Sequence, residues 1–248
     1  MDGDRAPVLD GVARRYLAYR DSTPVPPAED GIVRAMPVVL RIERDPLPGR
    51  TPLLAAAATA AVALCVDRRS QPGGEWHDAV SGWVDRRIRK IARRARGAHW
   101  RAVQELPGVT VEIDGAEARA LLPGPVDGVA REVSRLQIGG TELEPDDPGD
   151  PPAGAPLVLL NPHVTMTVGK AAAQVGHATM LLGATHGWPV AEPADVPRCA
   201  VRTPDAGTWA RLCDALGGPD PVAVRDAGFT EVDPGTVTCL ATADAGRW

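Results

Sequence analysis

Three polar side chains, Lys170, Gln174 and His177, are spaced so that they share one face of a helix. They lie in the segment GKAAAQVGHA, which runs from Gly169 to Ala178 and is otherwise made of small, mostly apolar residues. An α-helix turns by about 100° per residue, so the three side chains fall within roughly 60° of one another around its axis. The segment therefore predicts a helix that carries an ammonium, an amide and an imidazole in one row.

A second polar group follows a predicted strand near the end of the chain. The strand is the apolar run Val222 to Val224, and Asp226 follows it at the start of a glycine turn that contains Gly228 and Thr230. In an α/β layer the ends of helices and strands meet at the edges of the sheet. The carboxylate and the hydroxyl are therefore predicted to meet the helical row at one edge of a sheet.

Taken together and in this order, the two segments resemble the type-two (archaeal and eukaryotic) peptidyl-tRNA hydrolase family. The resemblance covers about residues 155–243 and includes the strings Asp226-Ala227-Gly228-Phe229-Thr230 and Pro234-Gly235-Thr236-Val237-Thr238 beside the GKAAAQVGHA segment. It implies an enzyme that hydrolyses the ester bond of peptidyl-tRNA or of N-blocked aminoacyl-tRNA. The implied partner is tRNA, and neither a metal nor another cofactor is expected.

The resemblance also implies roles for individual residues. Lys170 and Asp226 are expected to be catalytic, with Thr230 in support. The other positions that match the family's motifs are expected to contact the substrate: Gln174, His177, Gly169 and Gly228. For His177 a second interpretation stays open, in which the imidazole satisfies a hydrogen bond in the core.

Ester hydrolysis requires a water molecule made nucleophilic and a donor for the oxyanion that develops. Asp226, at the end of a strand, is suited to orienting or deprotonating the water. Lys170 is suited to holding the oxyanion or a neighbouring phosphate, together with the amides at the start of its helix. Thr230 is suited to positioning the water or to bonding Asp226.

The occurrence of lysine at position 170 is itself informative. Of the 27 basic residues in the chain only Lys90 and Lys170 are lysines, and all the others are arginine. An ammonium is a compact charge on a flexible stem, whereas a guanidinium is a wide planar fork. The bias predicts that arginine cannot replace Lys170, although a chance surface lysine is the plainer interpretation.

The chain departs from the family's pattern in and before the motif helix. The preceding loop carries Thr165-Met166-Thr167-Val168 where additional lysines are usual, and Gly176 stands where a small hydroxyl residue is common. From Ala155 onward the chain has six basic and nine acidic residues. Contacts with the tRNA phosphate backbone are therefore expected from another part of the chain.

The strongest candidate for these phosphate contacts is the run from Arg86 to Arg101, which holds eight basic residues and no acidic one. Apolar Val84, Ile88 and Ile91 at helical spacing predict that the run belongs to a basic helix over residues 84–104. Like charges at this density repel one another unless an anion is near. The interpretation is a phosphate-contacting helix, with a solvated helix face as the alternative. The residues assigned to RNA are Arg86, Arg89, Lys90, Arg93, Arg94, Arg96 and Arg101.

The order of predicted elements indicates two α/β domains. Residues 1–140 form an N-terminal domain, residues 141–154 an acidic linker rich in proline and glycine, and residues 155–248 the peptidyl-tRNA hydrolase-like domain. In the last of these the order β-α-β-α-β-β predicts a compact, mixed four-stranded sheet covered by helices. The N-terminal domain has the same order in blurred form, with Gly49-Arg50 where Gly169-Lys170 falls. It also has a predicted strand pair around Asp114-Gly115, which places Asp114 where Asp226 falls. It is interpreted as a degenerate, inert repeat, or as a chance similarity between short βα units.

The composition is ordinary for a globular protein, with 44% hydrophobic residues, 24% charged residues and a net charge of −5. The four cysteines are scattered without metal-ligand spacing, which predicts reduced thiols in a cytoplasmic protein. No secretory signal and no membrane-spanning run are expected, and a homodimer is left open.

Two other function classes remain: a non-catalytic tRNA- or RNA-binding protein on a hydrolase-like scaffold, and a structural or regulatory protein without an RNA role.

Overall fold

Two sheets with the same strand order make up the protein, and a pair of helices lies between them. The computed structural model describes residues 5–20, 31–139, 142–218, 220–226, 231–243 and 245. The helices are α1 (Pro7–Arg20), α2 (Arg50–Val66), α3 (His77–Val84), α4 (Gly97–Gln104), α5 (Arg131–Ser134), α6 (Val168–His186) and α7 (Ala206–Asp214). The strands are β1 (Arg34–Arg41), β2 (Arg89–Ala95), β3 (Gly108–Ile113), β4 (Ala116–Leu121), β5 (Gly124–Pro125), β6 (Leu157–Leu160), β7 (Ala200–Arg202), β8 (Val222–Arg225) and β9 (Val237–Thr242).

The first sheet has the order β2-β1-β4-β3, and the short strand β5 pairs with β1. β1 runs parallel to β2 and antiparallel to β4, and β3 and β4 form the predicted antiparallel pair. Their turn is Asp114-Gly115, where φ is 48° and 78°. Both residues thus adopt the left-handed backbone that a tight two-residue hairpin requires.

The second sheet has the order β7-β6-β9-β8. β6 is parallel to β7 and antiparallel to β9, and β8 is antiparallel to β9. Apolar side chains on one face, such as Val158 and Val224, belong to the main core, whereas Leu159 on the other face packs with Trp209 and Leu212 of α7. The predicted mixed four-stranded sheet covered by helices is confirmed.

The two sheets correspond strand by strand. Each has a parallel pair at one edge and an antiparallel hairpin at the other, and the longest described helix of its half follows the first strand of the parallel pair. In the middle of the sheets Val38 pairs with Ala120, and Val158 pairs with Ala241. Strand order, strand direction and helix placement therefore agree between the halves, as a degenerate repeat requires.

The helices α2 and α6 pack against each other between the sheets. α2 is buried from Leu53 to Val66, which fits a helix that is apolar on all sides. The Thr179 hydroxyl of α6 donates a hydrogen bond to the Ala58 carbonyl of α2 at 2.8 Å. Buried residues from both halves belong to one continuous core. The second sheet and its helix are therefore packed on the first half.

The predicted basic helix over residues 84–104 is wrong. α3 ends at Val84, the stretch from Arg89 to Ala95 is strand β2 at the edge of the first sheet, and α4 begins at Gly97. β2 pairs with β1 along its whole length, and this pairing outweighs the helix propensity of arginine, lysine and alanine. The extended backbone also separates the like charges, because a strand rises about 3.3 Å per residue and a helix 1.5 Å.

The predicted linker is attached to both halves. Residues 142–154 contain neither helix nor strand, but Leu143 is buried in the shared core, which was not expected of an acidic linker rich in proline and glycine. The Asp146 carboxylate accepts hydrogen bonds from the Thr51 N–H at 2.9 Å and from the Thr51 hydroxyl at 2.6 Å, at the start of α2. The Gly149 carbonyl accepts one from Arg202 Nε at 2.7 Å.

Candidate active site at the start of α6

α6 carries the polar row in the predicted phase. Its first turn is capped by the Thr167 hydroxyl, which accepts a hydrogen bond from the Lys170 N–H at 3.2 Å. The helix ends before Gly187, where a φ of 63° provides the left-handed residue that commonly closes a helix. The predicted motif helix is therefore present, and it begins within one residue of the expected start.

Asp226 follows the end of β8, and its carboxylate reaches the row on α6. Its N–H donates to the Thr236 carbonyl at 2.9 Å, and its carbonyl accepts from the Gly235 N–H at 2.7 Å, so the backbone is fixed. The carboxylate accepts a hydrogen bond from the Lys170 ammonium and another, at 2.7 Å, from Gln174 Nε2. Only 12% of the Lys170 side chain and 5% of the Asp226 side chain are exposed. The two groups expected to be catalytic thus lie together in an enclosed place.

Thr238 on β9 orients Gln174, and sequence reasoning did not single it out as a site residue. Its hydroxyl donates to Gln174 Oε1 at 2.8 Å, and it is completely buried. This bond fixes the amide so that its NH2 group faces Asp226. The available signal was strand alternation, which assigns Thr236 and Thr238 of the PGTVT string to one face of the strand predicted there.

His177 meets a lysine from the other half of the molecule. The distance between His177 Nδ1 and Lys90 Nζ is 3.1 Å. Lys90 lies on β2, and its ammonium is also 5.3 Å from the centre of the Trp83 ring. The sequence assigned Lys90 to a tRNA-contacting helix, whereas the structure directs it inward to the motif helix. The signal that could have revealed this is the scarcity of lysine, because both lysines of the chain lie at this site.

The environment of this pair favours uncharged groups. Burial lowers the pKa of Lys90 to about 7, although electrostatic interaction with the Cys65 and Cys239 thiols opposes the shift. Burial and then the positive charges of Lys90 and Lys170 lower the pKa of His177 well below its usual range. His177 is therefore neutral at physiological pH, and Lys90 is partly neutral.

The remaining predicted site residues fall into two groups. Gly169 lies in the first turn of α6 beside a shallow, open depression that is also lined by Ala92, Arg93 and Arg94. Thr230 and Gly228 lie outside the residues that the structure describes, so their expected roles beside Asp226 stay predictions.

Glu231, in the loop before β9, forms hydrogen bonds with the residue that caps α6. Its carboxylate accepts from the Thr167 N–H at 2.9 Å and from the Thr167 hydroxyl at 2.7 Å.

The arginines assigned to RNA do not share one helical face. Arg93 Nη1 donates to the Leu136 carbonyl at 3.0 Å, and Arg94 Nε donates to Gln137 Oε1 at 3.1 Å. Arg89 lies on the same strand, Arg86 lies in the turn before it, and the exposed residues are Arg96 and Arg101. Alternation along β2 places neighbouring side chains on opposite faces of the sheet. Any phosphate-binding surface here is therefore formed by a sheet edge and the following helix.

Among its described residues, the first half has no second copy of this site. An offset of 120 residues, which relates Val38 to Val158, places Arg50, Leu54 and Ala57 at the positions of Lys170, Gln174 and His177. Leu54 and Ala57 are apolar and fully buried. Asp114, the expected counterpart of Asp226, is exposed in the β3–β4 turn. The first half instead contributes Lys90 to the site of the second half.

The arrangement offers three chemical functions in one enclosed place. Asp226 is a carboxylate with a fixed orientation, Lys170 is a cation beside it, and the Gln174 amide is a neutral donor. These are the groups required for general-base activation of water and for stabilising a developing negative charge. Among the described residues no three His, Cys, Asp or Glu side chains are grouped to hold a metal ion.

Two further findings concern the chain as a whole. In the part of the chain that the structure describes, no helix is both long enough and apolar enough to cross a lipid bilayer. Comparison of the chain with known protein families, with curated protein sequences and with solved structures finds no match.

Proposed function

We propose that the chain hydrolyses the ester bond of peptidyl-tRNA or N-blocked aminoacyl-tRNA at the site formed by Lys170, Gln174 and Asp226. One observation carries the proposal: the Asp226 carboxylate accepts hydrogen bonds from both the Lys170 ammonium and the Gln174 amide at the start of α6. This contact joins two segments that are far apart in the sequence and that together resemble the type-two peptidyl-tRNA hydrolase family. That family's activity is extended to this chain as part of the proposal.

In the proposed reaction Asp226 acts as the general base. A water oxygen attacks the ester carbonyl carbon while one water proton passes to the Asp226 carboxylate. Lys170 then binds the oxyanion of the tetrahedral intermediate, which replaces part of its contact with Asp226. When the intermediate collapses, the bond to the ribose oxygen breaks and that oxygen takes the proton. The products are the free acyl carboxylic acid and tRNA with its terminal hydroxyl restored.

The surroundings of the site are consistent with an RNA substrate. The depression beside Gly169 borders Arg93 and Arg94, and the exposed Arg96 and Arg101 follow along the chain. Phosphate contacts by such residues add affinity that depends on salt but not on sequence. Glu231 at the start of α6 works against an approaching anion, so the arginines are expected to provide most of the electrostatic attraction.

The proposal is tested by hydrolysis of N-acetyl-aminoacyl-tRNA labelled in the acyl group. Lys170→Ala and Asp226→Ala are each expected to lower kcat/KM by at least about 100-fold, the scale of losing an oxyanion donor or a general base. Lys170→Arg is also expected to lose activity, because the planar fork does not fit in place of the compact ammonium. Asp195→Ala is the matched control, since Asp195 is an exposed aspartate in the same half.

One observation favours a second function, that of a non-catalytic RNA-binding scaffold. Lys170 and Asp226 neutralise each other in an enclosed place, as a purely structural ion pair also does. The same assay separates the two functions. A wild-type protein that binds tRNA with a salt-dependent affinity but leaves the acyl ester intact contradicts the hydrolase and supports the scaffold. Parent-level hydrolysis by either alanine variant contradicts the role of that residue.

A further inference from the structure

We propose that Lys90, contributed by the first half of the molecule, is a positioning residue that holds His177 with its hydrogen on Nε2 and so makes this nitrogen a donor to a substrate oxygen. The inference rests on the proposed function for its substrate, the ester end of an acyl-tRNA. It adds a residue from outside the segment that carries the family resemblance. It also gives His177 a chemical task in place of a structural one.

The first step of the argument is the direction of the hydrogen bond. Below pH 7 Lys90 is mostly protonated. An ammonium has three donor hydrogens and no acceptor, so at 3.1 Å it can only donate to His177 Nδ1. A neutral imidazole that accepts at Nδ1 carries its hydrogen on Nε2. Among the described residues Lys90 is the hydrogen-bonding partner of His177. Within the part of the chain that the structure describes, the Nε2–H group therefore has no protein acceptor.

The second step is the protonation state of the imidazole. The titratable groups around it are Lys90 on β2, Lys170 on α6 and, through Lys90, the thiols of Cys65 on α2 and Cys239 on β9. Burial and the two ammonium groups lower the pKa of His177 well below its usual range. The ring is therefore a neutral N–H donor near pH 7 and does not become a competing cation. A neutral imidazole that polarises a carbonyl oxygen is an established form of electrophilic catalysis.

The third step is the position of this donor. His177 lies on the same helical face as Lys170 and Gln174, two turns of α6 from the ammonium. Part of the His177 residue remains accessible. Seven residues of α-helix rise about 10 Å. An acyl-tRNA end bound along this row, with its ester carbonyl oxygen near Lys170, can therefore present a further acyl or ribose oxygen to His177. His177 is accordingly placed to donate to a second oxygen of the same ester end.

The fourth step is the space that Gly176 of α6 leaves for the Lys90 side chain. A Cβ atom at Gly176 would lie 3.2 Å from both Cδ and Cε of Lys90 and 3.1 Å from Ala61 Cβ. A methyl group at this point would be closer to the Lys90 stem than ordinary van der Waals contact, so glycine gives the stem its full room. The family's common hydroxyl residue is absent at this position, and the space is occupied by a lysine from the first half.

The test is nitrogen NMR of the five histidine side chains in the full-length protein. The His177 signals are identified by their loss in His177→Gln. Between pH 6 and 7 the wild-type ring is expected to be neutral, with Nδ1 unprotonated and the hydrogen on Nε2. In Lys90→Met the ring loses its fixed donor and a nearby positive charge, so the tautomers are expected to mix and the His177 pKa to rise. Arg87→Met removes an exposed cation from the same segment and is expected to change nothing.

Activity provides the second readout. Lys90→Met is expected to lower kcat for N-acetyl-aminoacyl-tRNA about tenfold, with KM nearly unchanged, because a donor to the reacting end acts on the chemical step. A wild-type His177 that titrates near its ordinary pKa, or that carries its hydrogen on Nδ1, overturns the inference whatever the activity. A changed tautomer with unchanged kcat overturns the substrate contact. Failure of the proposed function itself is recognised separately, by full activity of Lys170→Ala and Asp226→Ala.

Discussion

At the scale of single residues, the site explains why this arginine-rich chain has kept two lysines. Lys170 is 12% exposed and contacts the Asp226 carboxylate, and Lys90 is enclosed by Trp83, His177 and the backbone of Gly176. Both positions have space for a compact ammonium on a flexible stem. A planar guanidinium with five donor hydrogens would leave several of them without partners in such places.

The free energy of unfolding is expected to depend on pH through Lys90. Burial lowers its pKa to about 7 in the folded protein, and an unfolded lysine titrates near pH 10.4. Between these values the unfolded chain holds a proton that the folded chain has lost, so stability rises with pH by up to about 1.4 kcal/mol per unit. Above about pH 9 the buried thiols oppose this rise, because burial raises the pKa of Cys65, Cys199 and Cys239 to about 12.

Urea denaturation at pH 6.5, 7.5 and 8.5 measures this effect, and Lys90→Met isolates it from other titrating groups. The wild-type protein is expected to gain stability relative to the variant between pH 7 and 9. Arg87→Met again serves as the control, because it removes an exposed positive charge. Parallel pH profiles for the wild type and Lys90→Met would contradict the enclosed position of the ammonium.

At the scale of elements, the close approach of α6 to α2 depends on small residues. Gly176 lies opposite Ala61, and the Thr179 hydroxyl donates to the Ala58 carbonyl at 2.8 Å. A hydroxyl–carbonyl bond between two helices requires their backbones to approach closely, which larger side chains would prevent. This contact holds the polar face of α6 towards β2, β8 and β9 and so determines which groups meet at the site.

Gly176→Ala is expected to destabilise the protein by about 1 kcal/mol although alanine favours helices. The helix propensity gain is about 1 kcal/mol, but the new methyl group would crowd Ala61 and the Lys90 stem at 3.1 and 3.2 Å, and overpacking of this kind costs about 1–3 kcal/mol. Urea denaturation gives the stability change, and the His177 nitrogen shifts report whether Lys90 has moved.

Gly82→Ala in α3 is the matched control for this substitution. No atom lies within 4 Å of a Cβ built at Gly82. The propensity gain is therefore unopposed, and the control is expected to become more stable by about 0.5–1 kcal/mol. Equal stabilisation by Gly176→Ala would show that α2 and Lys90 give way easily at this contact.

At the scale of the whole molecule, the two halves are expected to fold as one unit because their helices share a core. Buried residues of α2 and α6 lie in the same hydrophobic cluster as both sheets, and Leu143 of the linker joins them. Residues 155–248 expressed alone would expose the face of α6 that α2 covers. This fragment is expected to lack a cooperative thermal transition as a monomer, which calorimetry combined with light scattering measures.

Co-expression of residues 1–154 with residues 155–248 provides the control for the fragment. The chain break falls in a segment that contains neither helix nor strand, so the two pieces are expected to associate and to recover the transition. A monomeric fragment 155–248 that unfolds cooperatively would contradict the shared core as a requirement for folding. It would instead support an independent C-terminal domain with the predicted boundaries.

The sequence by itself determined the local structure of the second half and identified the polar residues of its candidate site. Short-range signals were sufficient there: the apolar run Val222 to Val224 predicted β8, and helical spacing put Lys170, Gln174 and His177 on one face. The contact between Lys170 and Asp226 was also anticipated, because a helix start and a strand end meet at one edge of an α/β sheet.

Only the tertiary structure decided what the basic run became and what Lys90 contacts. The stretch from Arg89 to Ala95 has residues that favour a helix, but it pairs with the edge of β1 and forms a strand. In a strand successive side chains alternate between the two faces, which turns Lys90 inward to His177 and leaves Arg93 on the opposite face. No periodicity within the run reports the presence of that edge. The long-range pairing that forms the sheet is the physical reason why the site includes a residue from the first half.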